Sequence, residues 1–143
     1  MIGTMASTSD AAPPVKVGLR ILVVEDEELI AELFAETLAM DGHEVSVAAD
    51  GQEALKLFSA AEVRGQTFDL VVTDVRMPRM DGVTLANRLR SAHPELPVVV
   101  VSGYASAEQL SALSQGNPGR LVVLRKPVNL DRLCTAVRSV THH

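Results

Sequence analysis

From Arg20 onward, short apolar runs alternate with longer segments in which apolar residues recur every three or four positions. Five runs, Arg20 to Glu25, Val45 to Ala49, Leu70 to Thr73, Val98 to Ser102 and Leu121 to Leu124, are rich in Val, Leu or Ile and predict β-strands. Their near-continuous apolarity predicts burial on both faces, as in a parallel sheet covered by helices on each side. The segments between them carry helical periodicity. The first, from near Glu27, sets Leu29, Ile30, Leu33, Phe34 and Leu38 on one stripe and ends at Gly42, a residue suited to a left-handed cap. The second opens at Asp50 with Glu53 three residues on, and places Ala54, Leu57, Phe58 and Ala61 on one face. A third starts around Gly82 with Leu85, Ala86 and Leu89. A fourth opens at Ser106, with a thin stripe of Leu110 and Leu113 that predicts the weakest packing. The fifth opens at Asn129 with Leu130, Leu133, Cys134 and Val137.

Five strand–helix pairs joined by right-handed crossovers make a doubly wound α/β sheet, and such sheets bind ligands beyond the carboxyl ends of their strands. The remaining composition narrows the setting. A length of 143 residues with 47% hydrophobic content fits one domain with one core. Residues 1–18, rich in Ser, Thr, Ala and Pro in their first part, are expected to form a flexible tail, and residues 19–140 the domain. Met1 to Met5 and His142-His143 resemble remnants of an expression vector and a tag. A net charge of -5 supplies no basic field, so direct nucleic acid binding is not expected. With no apolar run of membrane-spanning length and no leader pattern, a cytoplasmic protein without membrane association is expected, as a monomer or weak dimer. The single cysteine, Cys134, reads as a small core residue.

The chemistry collects at the strand ends. Glu25 and Asp26 follow the first strand, Asp74 the third, Ser102 ends the fourth, and Lys126 stands just past the fifth. Three carboxylates brought together repel one another unless a cation lies between them, and oxygen-only ligands with a few carboxylates suit Mg2+. A lysine and a hydroxyl opposite would hold a second anion, and a phosphoryl group fits. Asp74, central in the sheet, is then the natural nucleophile, forming an acyl phosphate. Taken singly, an acid after a strand is more often a helix cap, and Lys-Pro a turn. The conjunction of all of them favours the functional reading.

Ile21-Leu22-Val23-Val24-Glu25-Asp26-Glu27, Asp74-Val75-Arg76-Met77-Pro78-Arg79-Met80-Asp81-Gly82, Val101-Ser102-Gly103 and Lys126-Pro127 resemble the motifs of response-regulator receiver domains of bacterial two-component systems. The resemblance covers nearly everything from Leu19 to Val140. It implies a flavodoxin-like sheet of order 2-1-3-4-5 and a phosphoacceptor signalling domain, rather than an enzyme, that assists its own phosphorylation and slow dephosphorylation. The implied roles are Asp74 as phosphoacceptor, and Asp26, Asp74 and the Arg76 backbone carbonyl as Mg2+ ligands. Glu25 acts through a bound water, Ser102 and Lys126 contact the phosphoryl oxygens, and Pro127 follows a cis bond. The implied partner is a histidine kinase or histidine phosphotransfer protein, docking on the first helix. One position departs from the family: Val123 stands where a Tyr or Phe is usual. Tyr104, the only tyrosine, is a candidate to take part of that role, and together with Arg76 to flank the line of water attack. With no output segment after Val140, a single-domain regulator is expected. The alternatives are a receiver excised from a hybrid histidine kinase or multidomain regulator, and a non-phosphorylated pseudo-receiver. A haloacid-dehalogenase-type phosphatase ranks low, because Arg76 stands where that family needs a second aspartate.

Overall fold

A computed structural model describes residues 18–103 and 107–141. The terminal tail segments, Tyr104 and the Ser106 cap lie outside the described residues. In chain order the elements are β1 (Arg20–Val24), α1 (Glu28–Met40), β2 (Glu44–Ala48), α2 (Gly51–Val63), β3 (Leu70–Asp74), α3 (Gly82–Ala92), β4 (Val98–Ser102), α4 (Ala107–Ser111), a 3-10 turn (Pro118–Arg120), β5 (Leu121–Arg125) and α5 (Leu130–Thr141). The five strands form one parallel sheet in the order β2-β1-β3-β4-β5, as the resemblance implied.

Side chains on a strand alternate between its faces, and the core divides accordingly. Ile21 and Val23 of β1, Leu70 and Val72 of β3, and Val99 and Val101 of β4 pack with Phe34, Leu38, Leu133 and Val137 under α1 and α5. Their neighbours Leu22, Val24, Val71, Val98 and Val100 pack with Phe58, Leu85 and Leu89 under α2 and α3. The three central strands are thus buried on both sides, as expected.

The edge strands correct that expectation. Val47 of β2 and Val123 of β5 are exposed, because an edge strand has a hydrogen-bonded neighbour on one side only and its outer flank is open. The first helix is also corrected. Its buried stripe is Ala31, Phe34 and Leu38, while Leu29 is 80% and Leu33 46% exposed. At 100° per residue, Leu29 lies 200° from Ala31, nearly opposite the core.

Caps form where the sequence places them. Asp50 accepts from the Glu53 N–H at 2.9 Å, and the Glu53 carboxylate reaches back to the Ala49 N–H at 2.6 Å. Asn129 accepts from the N–H groups of Asp131 and Arg132. The weakly apolar fourth helix is only five residues long. The chain beyond it is tethered by polar groups of α3. Asn87 accepts from the Ser114 and Gln115 N–H groups and donates to the Ala112 carbonyl. The buried Arg90 guanidinium donates to the Asn117 carbonyl.

Candidate functional site

The parallel register brings the strand ends to one edge. Val24 pairs with Thr73, Asp74 with Val101, and Ser102 with Arg125. Glu25 leaves β1 with its N–H donated to the Ala48 carbonyl at 3.0 Å, and its carboxylate accepts from the Glu27 N–H at 3.1 Å. It is buried, whereas Asp26 beside it is exposed. Asp74 ends β3 and is only 6% exposed. One carboxylate oxygen from each of Glu25, Asp26 and Asp74 lies within 4.8 Å of the others. This oxygen-only donor set fits a hard divalent cation of the Mg2+ type.

Lys126 approaches from the other side. Its backbone N–H donates to the Ser102 carbonyl at 2.9 Å, which ties the loop after β5 to the end of β4. Its Nζ lies 2.8 Å from Asp74 Oδ2 and 3.7 Å from Glu25 Oε1. The Lys126–Pro127 bond is cis, as the resemblance implied. Ser102 is buried on the strand end. The Arg76 N–H lies 3.4 Å from Asp74 Oδ1, and Asp26, Ile30, Arg76 and Pro127 line the cleft around the aspartate. The sequence-predicted residues Glu25, Asp26, Asp74, Arg76, Ser102, Lys126 and Pro127 therefore gather at one edge. Val123 sits exposed on β5.

Burial and neighbouring charge shape the site's electrostatics. Burial, with Asp74 adding to it, pushes the Glu25 carboxyl up to about 7, although the Glu27 N–H and Lys126 favour its charged form. Burial opposes the charge on Lys126. The hydrogen bond and charge of Asp74, with Glu25 and Glu27 behind them, outweigh it and hold the ammonium's pKa above its ordinary value. The Glu25 shift has a stability consequence with a definite sign. Between the ordinary carboxylate value of 4.5 and about 7, the folded chain keeps a proton that the unfolded chain has released. Its stabilising effect is full below 4.5 and is lost as pH rises through 7. In metal-free buffer, Glu25→Gln is expected to lose less melting temperature than the parent between pH 5 and pH 8. Equal losses in thermal melts would refute this.

Two features of the site escaped the sequence reading. Gly82, read as a helix start and as the last residue of the motif that begins at Asp74, lies so close to β3 that an added Cβ would sit 2.0 Å from the Asp74 carbonyl oxygen. Its N–H donates to the Val75 carbonyl at 2.8 Å, which closes the loop after the aspartate on itself. Arg79 takes a left-handed φ of 71° and places its guanidinium 2.9 Å from Asp50. An Asp-Gly pair before a helix signals the first; a pairing between distant loop residues leaves no local trace.

A parallel sheet of this order with acids and a lysine converging on its carboxyl edge is the architecture of a two-component signalling module. The chain belongs to the response regulator receiver domain family, which residues 21–138 match. It is 38% identical over 120 residues to the sensor kinase CckA of Brucella abortus, covering 84% of this chain and 12% of that protein. It is 35% identical over 123 residues to the response regulator MprA of Mycolicibacterium vanbaalenii, covering 85% of this chain and 50% of that protein. The chain thus spans half or less of these relatives' lengths. Among solved structures, the response regulator receiver protein of Sinorhizobium medicae superposes with a TM-score of 0.74 at 31% identity, covering 87% of this chain and 94% of that one. No helix among the described residues is long and apolar enough to cross a membrane.

Proposed function

We propose that this receiver domain accepts one phosphoryl group on Asp74 from the phosphohistidine of a histidine kinase or phosphotransfer protein, with Mg2+ held by Asp26, Asp74 and the Arg76 carbonyl. The observation that carries this reading is the Lys126 ammonium 2.8 Å from Asp74 Oδ2, opposite the converging acids. A nucleophilic carboxylate, a cation site and a phosphate-binding amine thus share one small space.

In the step proposed, an Asp74 carboxylate oxygen attacks phosphorus, the bond from phosphorus to the donor imidazole nitrogen breaks, and the imidazole leaves with the electron pair and takes a proton. Bound Mg2+ would supply charge neutralisation for the phosphoryl oxygens and the acids. Lys126 holds Asp74 in place beforehand and meets the added negative charge, a preorganised contact of the kind that stabilises developing charge most cheaply. Ser102 offers its hydroxyl to another phosphoryl oxygen, and Glu25 acts through water at the cation. Leu29 and Leu33, exposed on α1, and Ile30 at the cleft wall support α1 as the face on which the donor domain docks.

Dephosphorylation is slow in this reading. Arg76 lines the cleft two residues past the nucleophile and carries neither a carboxylate nor an amide to orient a water as a base would. Tyr104 shares the shielding role.

Incubation with acetyl phosphate is expected to add one phosphoryl group, seen by intact mass, with Mg2+ and not in EDTA. Uptake unaffected by EDTA would overturn the metal assignment. After removal of the donor, Arg76→Asn is expected to lose the group faster than the parent in Mg2+ buffer, and an equal decay would remove Arg76 from the account. Chemical-shift mapping with a phosphotransfer domain is expected to perturb residues 28–35, and no change there would exclude α1.

A further inference from the structure

The loop between β3 and α3 is fastened at two points. Near its end, Gly82 is pressed against the Asp74 carbonyl. Midway, it hangs on the start of α2. Met80 lies so close to Gly51 that a Cβ there would meet the Met80 Cβ at 2.8 Å and its carbonyl oxygen at 3.0 Å. Beside this contact, Arg79 places its guanidinium 2.9 Å from Asp50 Oδ2. Asp50 is 5% exposed and already accepts the Glu53 N–H through Oδ1, so one buried carboxylate caps α2 with one oxygen and holds the loop with the other. Arg79 does so from the centre of a tight turn, at a left-handed φ of 71°, that the Met80 N–H closes on the Pro78 carbonyl at 2.8 Å. Arg79 is three residues beyond Arg76, so the pairing anchors the segment that carries the Arg76 carbonyl.

We infer that Asp50 and Arg79 are positioning residues for the cation site: their ion pair latches the β3–α3 loop to α2 and sets the distance between the Arg76 carbonyl and the carboxylates of Asp26 and Asp74. The inference rests on the reading of that site as a Mg2+ site. Neither residue touches the ion; both act through the loop backbone. The local field makes the latch distinguishable from simple electrostatics. Removing the positive Arg79 would strengthen binding of a divalent cation by Coulomb attraction alone, and removing the negative Asp50 would weaken it. A latch predicts that both substitutions weaken it.

The test is Mg2+ titration of the unphosphorylated full chain, followed by NMR, for the parent, Asp50→Asn, Arg79→Gln, Arg79→Lys and the double variant Asp50→Asn/Arg79→Gln. Asparagine remains a good helix cap, so Asp50→Asn removes the charge while leaving α2 its acceptor. The Mg2+ dissociation constant is expected to rise about threefold to tenfold in Asp50→Asn and in Arg79→Gln, with the double variant no worse than the weaker single, as for two residues acting through one contact. Arg79→Lys is expected to recover most of the loss, and melting temperatures in EDTA to stay close to the parent's. An Arg79→Gln variant that binds Mg2+ as tightly as the parent or more tightly overturns the latch, as does a double variant whose loss is the product of the two single losses. A parent that binds no Mg2+ refutes the cation site itself, and the latch with it.

Discussion

Asp74→Asn is expected to abolish phosphoryl uptake while leaving the domain folded, the largest single effect on function in this protein. The two halves of that expectation have different causes. Asparagine has nearly the shape of aspartate and keeps a carbonyl oxygen facing Lys126, so the 2.8 Å contact survives as a hydrogen bond from the ammonium to a neutral acceptor. Removing the charge also relieves the crowding of three acids within 4.8 Å, so the melting temperature in metal-free buffer is expected to equal or exceed the parent's. The amide nitrogen, by contrast, is not a nucleophile toward phosphorus, and no neighbouring acid replaces it. Glu25 is turned toward the Glu27 N–H, and Asp26 stands exposed at the rim. Lys126→Ala complements this test. It leaves the nucleophile but removes the preorganised cation, and loss of one such contact slows a reaction by about 10²–10³. Intact mass over time after acetyl phosphate addition measures both. Asp74→Asn taking up one group at the parent's rate would move the acceptor elsewhere, and an unslowed Lys126→Ala would reduce that residue to a structural ion pair.

Much of this site was legible in the letters because a parallel sheet turns linear spacing into spatial order. Once five apolar runs alternate with helices, the residue after each run lies on one edge, and Glu25, Asp26, Asp74, Ser102 and Lys126 emerge by counting. What was not legible is what depends on partner geometry. Apolar periodicity placed Leu29 and Leu33 with Phe34 and Leu38, but Ala31, a small residue, completes the buried stripe and turns the two leucines outward. Strand burial was overestimated at Val47 and Val123, since an apolar run reads the same on an edge strand as on a central one. The polar tether from Asn87 and Arg90 to residues 112–117 has no apolar signature, yet it holds the chain after α4 where hydrophobic contacts are sparse. The Arg79–Asp50 pair likewise joins two loops whose approach is set by the packing of Met80 on Gly51.

The second large effect is expected at Gly82, where even one methyl group is too many. An alanine Cβ would lie 2.0 Å from the Asp74 carbonyl oxygen, 2.8 Å from its carbonyl carbon and 3.0 Å from the Val75 Cα. All three are backbone atoms, so no side chain can rotate away, and either α3 must retreat from the sheet or the end of β3 must move. Retreat is costly because Leu85, Ala86 and Leu89 of α3 are buried in the core, and it breaks the Gly82 N–H bond to Val75. Movement of β3 displaces Asp74 from Lys126. Overpacking typically costs about 1–3 kcal/mol, and rigid neighbours place this case at or above the upper end. For a domain of this size, ~3 kcal/mol corresponds to a fall of roughly 10–15 °C in melting temperature. Gly103→Ala is the matched control, since among the described residues a Cβ there meets only the Lys126 side chain, at 3.7 Å or more. Thermal melts of the two variants, with acetyl phosphate labelling of each, are expected to show Gly82→Ala strongly destabilised and poorly labelled and Gly103→Ala melting near the parent. A Gly82→Ala variant that melts within about 2 °C of the parent, less than ~1 kcal/mol by the same scale, and labels normally would show that α3 packs against β3 more loosely than these distances state.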